Sequence, residues 1–228
     1  MWAPQIEALK DRFTVIAPDV RGFGKTPVSG SWTMEDAADD LGDLLDSLHI
    51  SDCALIGLSM GGYIALPFYS RYPQRVRQLV LADTRARADN DTEKAARTSM
   101  IADLEHSGMG ILPERMLPRL LKPSSSPEVV QQVRRIIGST NATATILALM
   151  AMRDRHDAST VLHKISCPTL VIAGEHDTVT RVEECREMAH TIADGRFAAI
   201  SNAGHLSNME NSEDFNRALK DFLVKRSE

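Results

Sequence analysis

Two hydrophobic rhythms alternate along this 228-residue chain. Short apolar runs at Phe13–Ala17, Cys53–Ile56, Val76–Ala82, Thr169–Ala173 and Phe197–Ile200 have the length of buried strands, and Pro18 closes the first of them. Between the runs, apolar residues recur at helical spacing. Trp2, Ile6 and Leu9 mark a short helix that tolerates Pro4 in its first turn. Met34, Ala37, Ala38, Leu41, Leu44, Leu45 and Leu48 form a longer stripe, and Thr33 with Asp36 is set to make a capping box at its start. A periodic stretch from Tyr63 to Tyr72 stops at Pro73. Val182, Cys185, Met188, Ala189 and Ile192 line another helix, and Phe215, Leu219, Phe222 and Leu223 line a closing one that begins near Ser212.

From Arg85 to about Lys164 the strand rhythm disappears. Helical stretches are expected instead over 91–106, 111–121, 127–138 and 142–155, separated by Gly108, Gly110, Pro113, Pro118 and the segment 123–127. Strand and helix alternate on either side of this region. The prediction is therefore an α/β fold with a mostly parallel sheet and helices on both faces. Residues 1–84 and 166–228 form its core, and residues 85–165 form a helical cap over the sheet.

One stretch carries chemistry. Leu55-Ile56-Gly57-Leu58-Ser59-Met60-Gly61-Gly62-Tyr63 places a Gly-x-Ser-x-Gly turn between a buried strand and a helix. In that context the motif builds a sharp elbow that lifts a serine hydroxyl out of the sheet. Gly57 and Gly61 lack Cβ atoms, which lets strand and helix approach closely while Ser59 takes a strained backbone conformation. The first helical N–H groups, that of Met60 foremost, then point at any oxyanion formed beside Ser59.

A nucleophilic serine needs a base, and the base needs an orienting carboxylate, both on loops past the C-terminal ends of parallel strands. Of the seven histidines, only His205 directly follows an expected strand. His49 and His190 fall at helix ends, His106, His156 and His163 fall in the helical region, and His176 abuts Asp177. Asp177 follows the strand at Thr169–Ala173. Two other carboxylates compete for its role: Asp83, which also ends a strand, and Glu175. The reading Ser59 as nucleophile, His205 as base and Asp177 as orienting acid gives the chain order Ser, Asp, His.

Composition removes other classes. The net charge is −5 with both signs dispersed, so no basic face for nucleic acid is expected. No apolar run approaches membrane-spanning length, and the N-terminus has neither a basic nor an apolar signal region, which makes the cytoplasm the expected location. Cys53, Cys167 and Cys185 are odd in number and lack metal-ligand spacing, so they are expected to be buried, reduced thiols. No phosphate-binding loop, dinucleotide fingerprint or ligand cluster is present, and neither a metal nor a cofactor is expected. Met60 and Leu206 flank the expected catalytic residues and should line a pocket. Met100, Met109, Met116, Met150 and Met152 are dense in the cap region, and Met150 is the one assigned to substrate. Arg85, Arg87, Arg153 and Arg155 near the cap hinges are candidates to meet a substrate carboxylate, although solvated surface charge is the commoner role of such residues and is the one expected for each.

The ordered set Ala17-Pro-Asp-Val-Arg-Gly-Phe-Gly24, Gly57-Leu-Ser-Met-Gly-Gly62, Tyr72-Pro-Gln-Arg-Val-Arg77, Leu79-Val-Leu-Ala-Asp-Thr84, Gly174-Glu-His-Asp177 and Ala203-Gly-His-Leu206 resembles the α/β-hydrolase fold superfamily. Within it, the chain is similar to small bacterial esterases and 3-oxoadipate enol-lactonases. The resemblance implies a cofactor-free serine hydrolase acting on a small carboxylic ester or lactone. It also implies that the family's first strands and the His-Gly loop, source of a second oxyanion donor, lie upstream of Trp2. Met1 is then expected to be an internal methionine of a longer protein. Two other outcomes remain open on the same scaffold: haloperoxidase-type perhydrolysis and an inactive truncated fragment.

Overall fold

In the computed structural model, which describes residues 1–27 and 30–224, four strands form one parallel sheet in sequential order. They are β1 (Cys53–Leu58), β2 (Val76–Ala82), β3 (Thr169–Gly174) and β4 (Gly195–Ile200). The registers Leu58↔Ala82, Ala82↔Ile172 and Gly174↔Ile200 align the C-terminal ends of the strands. Every strand therefore delivers its following loop to the same edge, where open parallel sheets build their sites.

Both faces of the sheet are covered, and the period of two shows which residues cover each. Leu79, Leu81, Val171 and Ala173 enter one hydrophobic cluster, whereas Val80, Ala82, Leu170 and Ile172 enter the other. The first cluster is completed from α2 (Met34–Ser47), α3 (Met60–Arg71) and α9 (Val182–Thr191). The second is completed from α1 (Ala3–Leu9), α5 (Leu112–Leu120), α6 (Pro127–Gly138) and α11 (Ser212–Val224). Thr33 caps α2 as its sequence predicts, accepting from the Asp36 N–H at 3.1 Å while Asp36 accepts from the Thr33 N–H at 2.7 Å.

Between β2 and β3 the described residues form helices and their connections, with no strand. They form α4 (Asp91–Ser107), α5, α6, α7 (Ala142–Asp154) and the single turn α8 (Ser159–Leu162). The four longer helices lie within one to two residues of the limits the sequence indicates. After β4 comes the short α10 (Ser207–Glu210) ahead of α11.

Two expectations are corrected. Phe13–Ala17 is not a strand: among the described residues β1 ends the sheet and pairs only with β2, and this apolar run joins no ladder. Its alternation still works as packing, since Phe13 and Val15 lean on the second cluster while Ile16 stays exposed. Of the three free cysteines, only Cys185 is buried, whereas Cys53 and Cys167 are half-buried because each sits at the start of its strand or just before it.

Candidate active site

The chain leaves β1 and turns into α3 at Ser59, whose φ of 53° and ψ of −114° lie in a region that L-residues rarely occupy. Contacts from β2 hold it there. The Ser59 N–H donates to the Ala82 carbonyl at 2.9 Å, and the Thr84 hydroxyl donates to the Ser59 carbonyl at 2.8 Å. The close approach of strand and helix depends on Gly57 and Gly62. A Cβ on Gly57 would lie 2.4 Å from the Gly61 carbonyl oxygen, and one on Gly62 would lie 2.3 Å from Thr84 Oγ1. Gly61 has open space at that position, so the sequence-level assignment of tight packing to Gly61 belongs to its neighbour Gly62.

Three loop residues from three strand ends meet. His205 Nε2 lies 2.7 Å from Ser59 Oγ, and His205 Nδ1 lies 2.8 Å from Asp177 Oδ2. The imidazole is buried and so is the Asp177 carboxylate. Asp177 also accepts from the Val179 and Thr180 N–H groups at 2.7 and 3.0 Å, and from the Thr180 hydroxyl at 2.6 Å. Burial pushes its carboxyl up, but the bond and charge of His205 and the donors of Thr180 outweigh it and hold the group below the ordinary range. A carboxylate facing Nδ1 fixes the tautomer in which Nε2 is free to accept a proton from Ser59. Met60 opens α3 beside Ser59, and helix geometry leaves its N–H without an intrahelical acceptor.

Asp83 is a further buried carboxylate that interacts electrostatically with His205 and Asp177 but bonds neither. It has a φ of 46°, is fully buried, and accepts from the Gly174 N–H at 2.8 Å and from the Ser207 hydroxyl. Its carboxyl is pushed up to about 7, chiefly by burial, against the pull of His205 and the Ser207 bond. Glu175 is exposed at the loop surface. Neither of these two rivals bonds His205 as Asp177 does.

The other expected site residues are placed differently. The Leu206 side chain is packed into the second hydrophobic cluster, and its N–H donates to the Leu120 carbonyl at 3.1 Å. Met150 is half-buried on α7. A cavity of about 200 Å³ beside α3 is lined by Met34, Tyr63, Leu66, Arg85, Arg155 and Val161, among others, and by neither Leu206 nor Met150. The hinge arginines have protein partners. Arg85 and Arg87 bond Glu93, Arg87 also bonds Glu184, and Arg155 bonds the fully buried Asp89 carboxylate at 2.7 Å. Arg153 pairs with the adjacent Asp154.

Sequence reading missed Thr180, Ser207 and Glu210. Glu210 accepts from the Gly204 N–H at 2.6 Å, from the Lys122 N–H at 2.9 Å and from the Ser125 hydroxyl. The residues on both sides of His205 are thus bonded to the α5–α6 connection or to its anchor. Thr180 carried a faint signal, since a threonine three residues after an aspartate at a helix approach is a local capping pattern. No helix among the described residues is long and apolar enough to cross a membrane.

Comparison with known proteins places the chain in one family. The sequence pattern of the alpha/beta hydrolase fold family matches residues 1–212. The structure of a thermophilic esterase from Thermogutta terrifontis superposes with a TM-score of 0.95 at 40% identity, covering 98% of this chain and 84% of that one. The enol-lactonase from Burkholderia xenovorans LB400 superposes with a TM-score of 0.90 at 30% identity, covering 98% and 85%. A Yersinia enterocolitica protein, RutD, named provisionally for carbamate hydrolysis, is 31% identical over 98% of this chain and 82% of its own length.

Proposed function

We propose that this chain, which belongs to the alpha/beta hydrolase fold family, cleaves a small carboxylic ester or lactone through an acyl-enzyme on Ser59. The observation that carries this reading is the continuous hydrogen-bond path from Ser59 Oγ through both imidazole nitrogens of His205 to Asp177. Esterase and enol-lactonase relatives support the substrate class.

In this mechanism Ser59 Oγ attacks the carbonyl carbon while His205 Nε2 takes the hydroxyl proton. The carbonyl oxygen gains a negative charge, which the Met60 N–H at the start of α3 meets with the positive end of the helix behind it. The imidazolium passes its proton to the departing alkoxide, leaving an ester on Ser59. A water then gives a proton to Nε2 and attacks the acyl carbon, and the imidazolium returns that proton to Ser59 as the acid leaves. Asp177 holds the ring and balances its transient charge throughout. The helices between β2 and β3 form a cap over this edge of the sheet, a placement supported by the bonds from the Leu120–Ser125 region to Leu206 and Glu210.

The test is covalent labelling with a fluorophosphonate, read by intact mass, on the wild-type chain beside Ser59→Ala. Stoichiometric labelling of the wild type alone, together with hydrolysis of short-chain aryl esters, is the expected result. A folded wild-type chain that takes up no label would overturn the reading.

A further inference from the structure

Asp83 has a geometry that the reaction as described does not use. It ends β2 with a left-handed φ of 46°, a conformation in which an aspartate needs support from its surroundings. Its side chain is fully buried, and among the described residues no lysine or arginine is bonded to it. One carboxyl oxygen accepts the N–H of Gly174, the last residue of β3 and the first of the turn that leads to Asp177. That turn closes on itself, because the Asp177 N–H donates back to the Gly174 carbonyl at 3.0 Å. The other oxygen accepts the hydroxyl of Ser207, two residues past His205. The same two loops are bonded to each other by the N–H of His176 on the Ala203 carbonyl at 2.8 Å.

We propose that Asp83 is a positioning residue for the hydrolytic site: its carboxyl group pins the Asp177 loop to the His205 loop, and its charge strengthens that tether. The proposal rests on the serine-hydrolase reading of Ser59, His205 and Asp177. Two links of the argument are physical. Each loop is fixed to a different oxygen of one rigid, buried group, so the Asp177-to-His205 separation inherits that rigidity. An ionised carboxylate also holds its hydrogen-bond donors more firmly than a neutral acid does, so the strength of the tether follows the charge of Asp83. The groups facing Asp83 are His205 and Asp177 on the two loops, the Ser207 hydroxyl and the Cys185 thiol of α9. Burial, with the charges of Asp83 and Asp177, pushes that thiol up and keeps it neutral, so it adds no charge of its own. Asp83 itself changes charge near pH 7, inside the working range of an imidazole base.

The experiment measures the rate of fluorophosphonate labelling of Ser59 from pH 5 to 9 in wild type, Asp83→Asn and Ser207→Ala, with thermal melting of each. In labelling, Ser59 Oγ bonds to phosphorus, fluoride leaves, and the hydroxyl proton passes to His205. Asparagine keeps the shape and one acceptor but has no charge. The wild-type rate should rise over a broad range because the ionisation of Asp83 near pH 7 adds its own dependence to that of an imidazole base. In Asp83→Asn the contribution of Asp83 is lost, so the rise should narrow to a single-proton curve and the high-pH plateau should fall by roughly threefold. Ser207→Ala keeps the charge and cuts one tether, and should lower the high-pH plateau by roughly threefold or more. A folded Asp83→Asn with the wild-type profile would overturn the proposal, as would a folded Ser207→Ala with the wild-type plateau. Should Asp83→Asn fail to fold, Ser207→Ala alone decides. Absence of labelling in the wild type would overturn the hydrolase reading itself, so the two failures are distinguishable.

Discussion

His205 Nε2 stands 2.7 Å from Ser59 Oγ although 146 residues separate them in the chain. The distance is set by backbone features of two different strand ends: the positive φ of Ser59 after β1, and the loop after β4 that carries His205. Neither residue holds its place through its own side chain alone. The third member, Asp177, acts on Ser59 only through the ring between them.

Asp177→Asn tests that indirect action. An amide opposite Nδ1 presents a donor where the imidazole needs an acceptor, which favours the wrong tautomer at Nε2. Under the proposed mechanism the variant should fold and bind substrate while losing about 10³–10⁴ in turnover. Steady-state hydrolysis of an aryl ester should therefore show the loss in kcat with KM little changed. A loss of less than tenfold would move the orienting role to another carboxylate.

Gly57 and Gly61 look equivalent in the motif, but the structure separates them. A Cβ at position 57 would strike the backbone carbonyl of Gly61, which no side-chain rotation can relieve. Gly57→Ala should cost about 3 kcal/mol, the upper end of overpacking penalties. Gly61→Ala meets open space and gains helix propensity, so its stability should match or exceed wild type by up to about 1 kcal/mol. Urea unfolding of the two variants checks the contrast, and equal midpoints would show that the elbow relaxes around a methyl group.

These glycines also show which parts of the molecule could be read from the chain. Strand runs such as Leu79–Ala82 were legible because both faces of the sheet are covered, so the apolar signal is continuous. Ser59, His205 and Asp177 were legible because each lies next to a strand end. The partnership of Gly62 with Thr84 was not, since which glycine packs depends on the angle between helix and strand. Phe13–Ala17 has strand composition yet lacks a ladder, because composition reports burial and cannot report a partner. Glu210 belongs to no motif that the sequence displays. Its meaning comes from three donors brought together by segments 80 or more residues apart in part of the set.

Glu210 makes a sharp test because of that donor count. Oε1 accepts from the Lys122 N–H and the Ser125 hydroxyl, while Oε2 accepts from the Gly204 N–H. Glutamine offers one oxygen and places an NH2 group against one of those donors. Glu210→Gln should therefore behave like Glu210→Ala, not rescue it, and each should cost about 1–3 kcal/mol. The Gly204 bond sits next to His205, so both variants should also lower kcat. Denaturant melts with parallel ester kinetics make the measurement, and a glutamine variant at wild-type stability would show that shape alone suffices.

Asp83 gives a stability prediction whose sign can be worked out. Its carboxyl is held near 7 in the folded chain, mainly by burial, against about 3.8 when exposed. Below about pH 4 both states are protonated and the folded state keeps the full benefit of a neutral buried acid. As pH rises, the unfolded chain loses its proton first, so the folded state is progressively disfavoured until the group ionises there near 7. Wild-type stability should accordingly carry a term that falls between pH 4 and 7, on the order of 4 kcal/mol in all. Asp83→Asn has no such term. Between pH 5 and 8 the variant should gain about 2–3 kcal/mol relative to wild type, whatever its stability at either pH. Urea unfolding of both proteins at the two pH values measures this difference directly. A difference that stays constant would mean that Asp83 keeps one charge state across the range, with ionisation playing no part in how it holds the two loops.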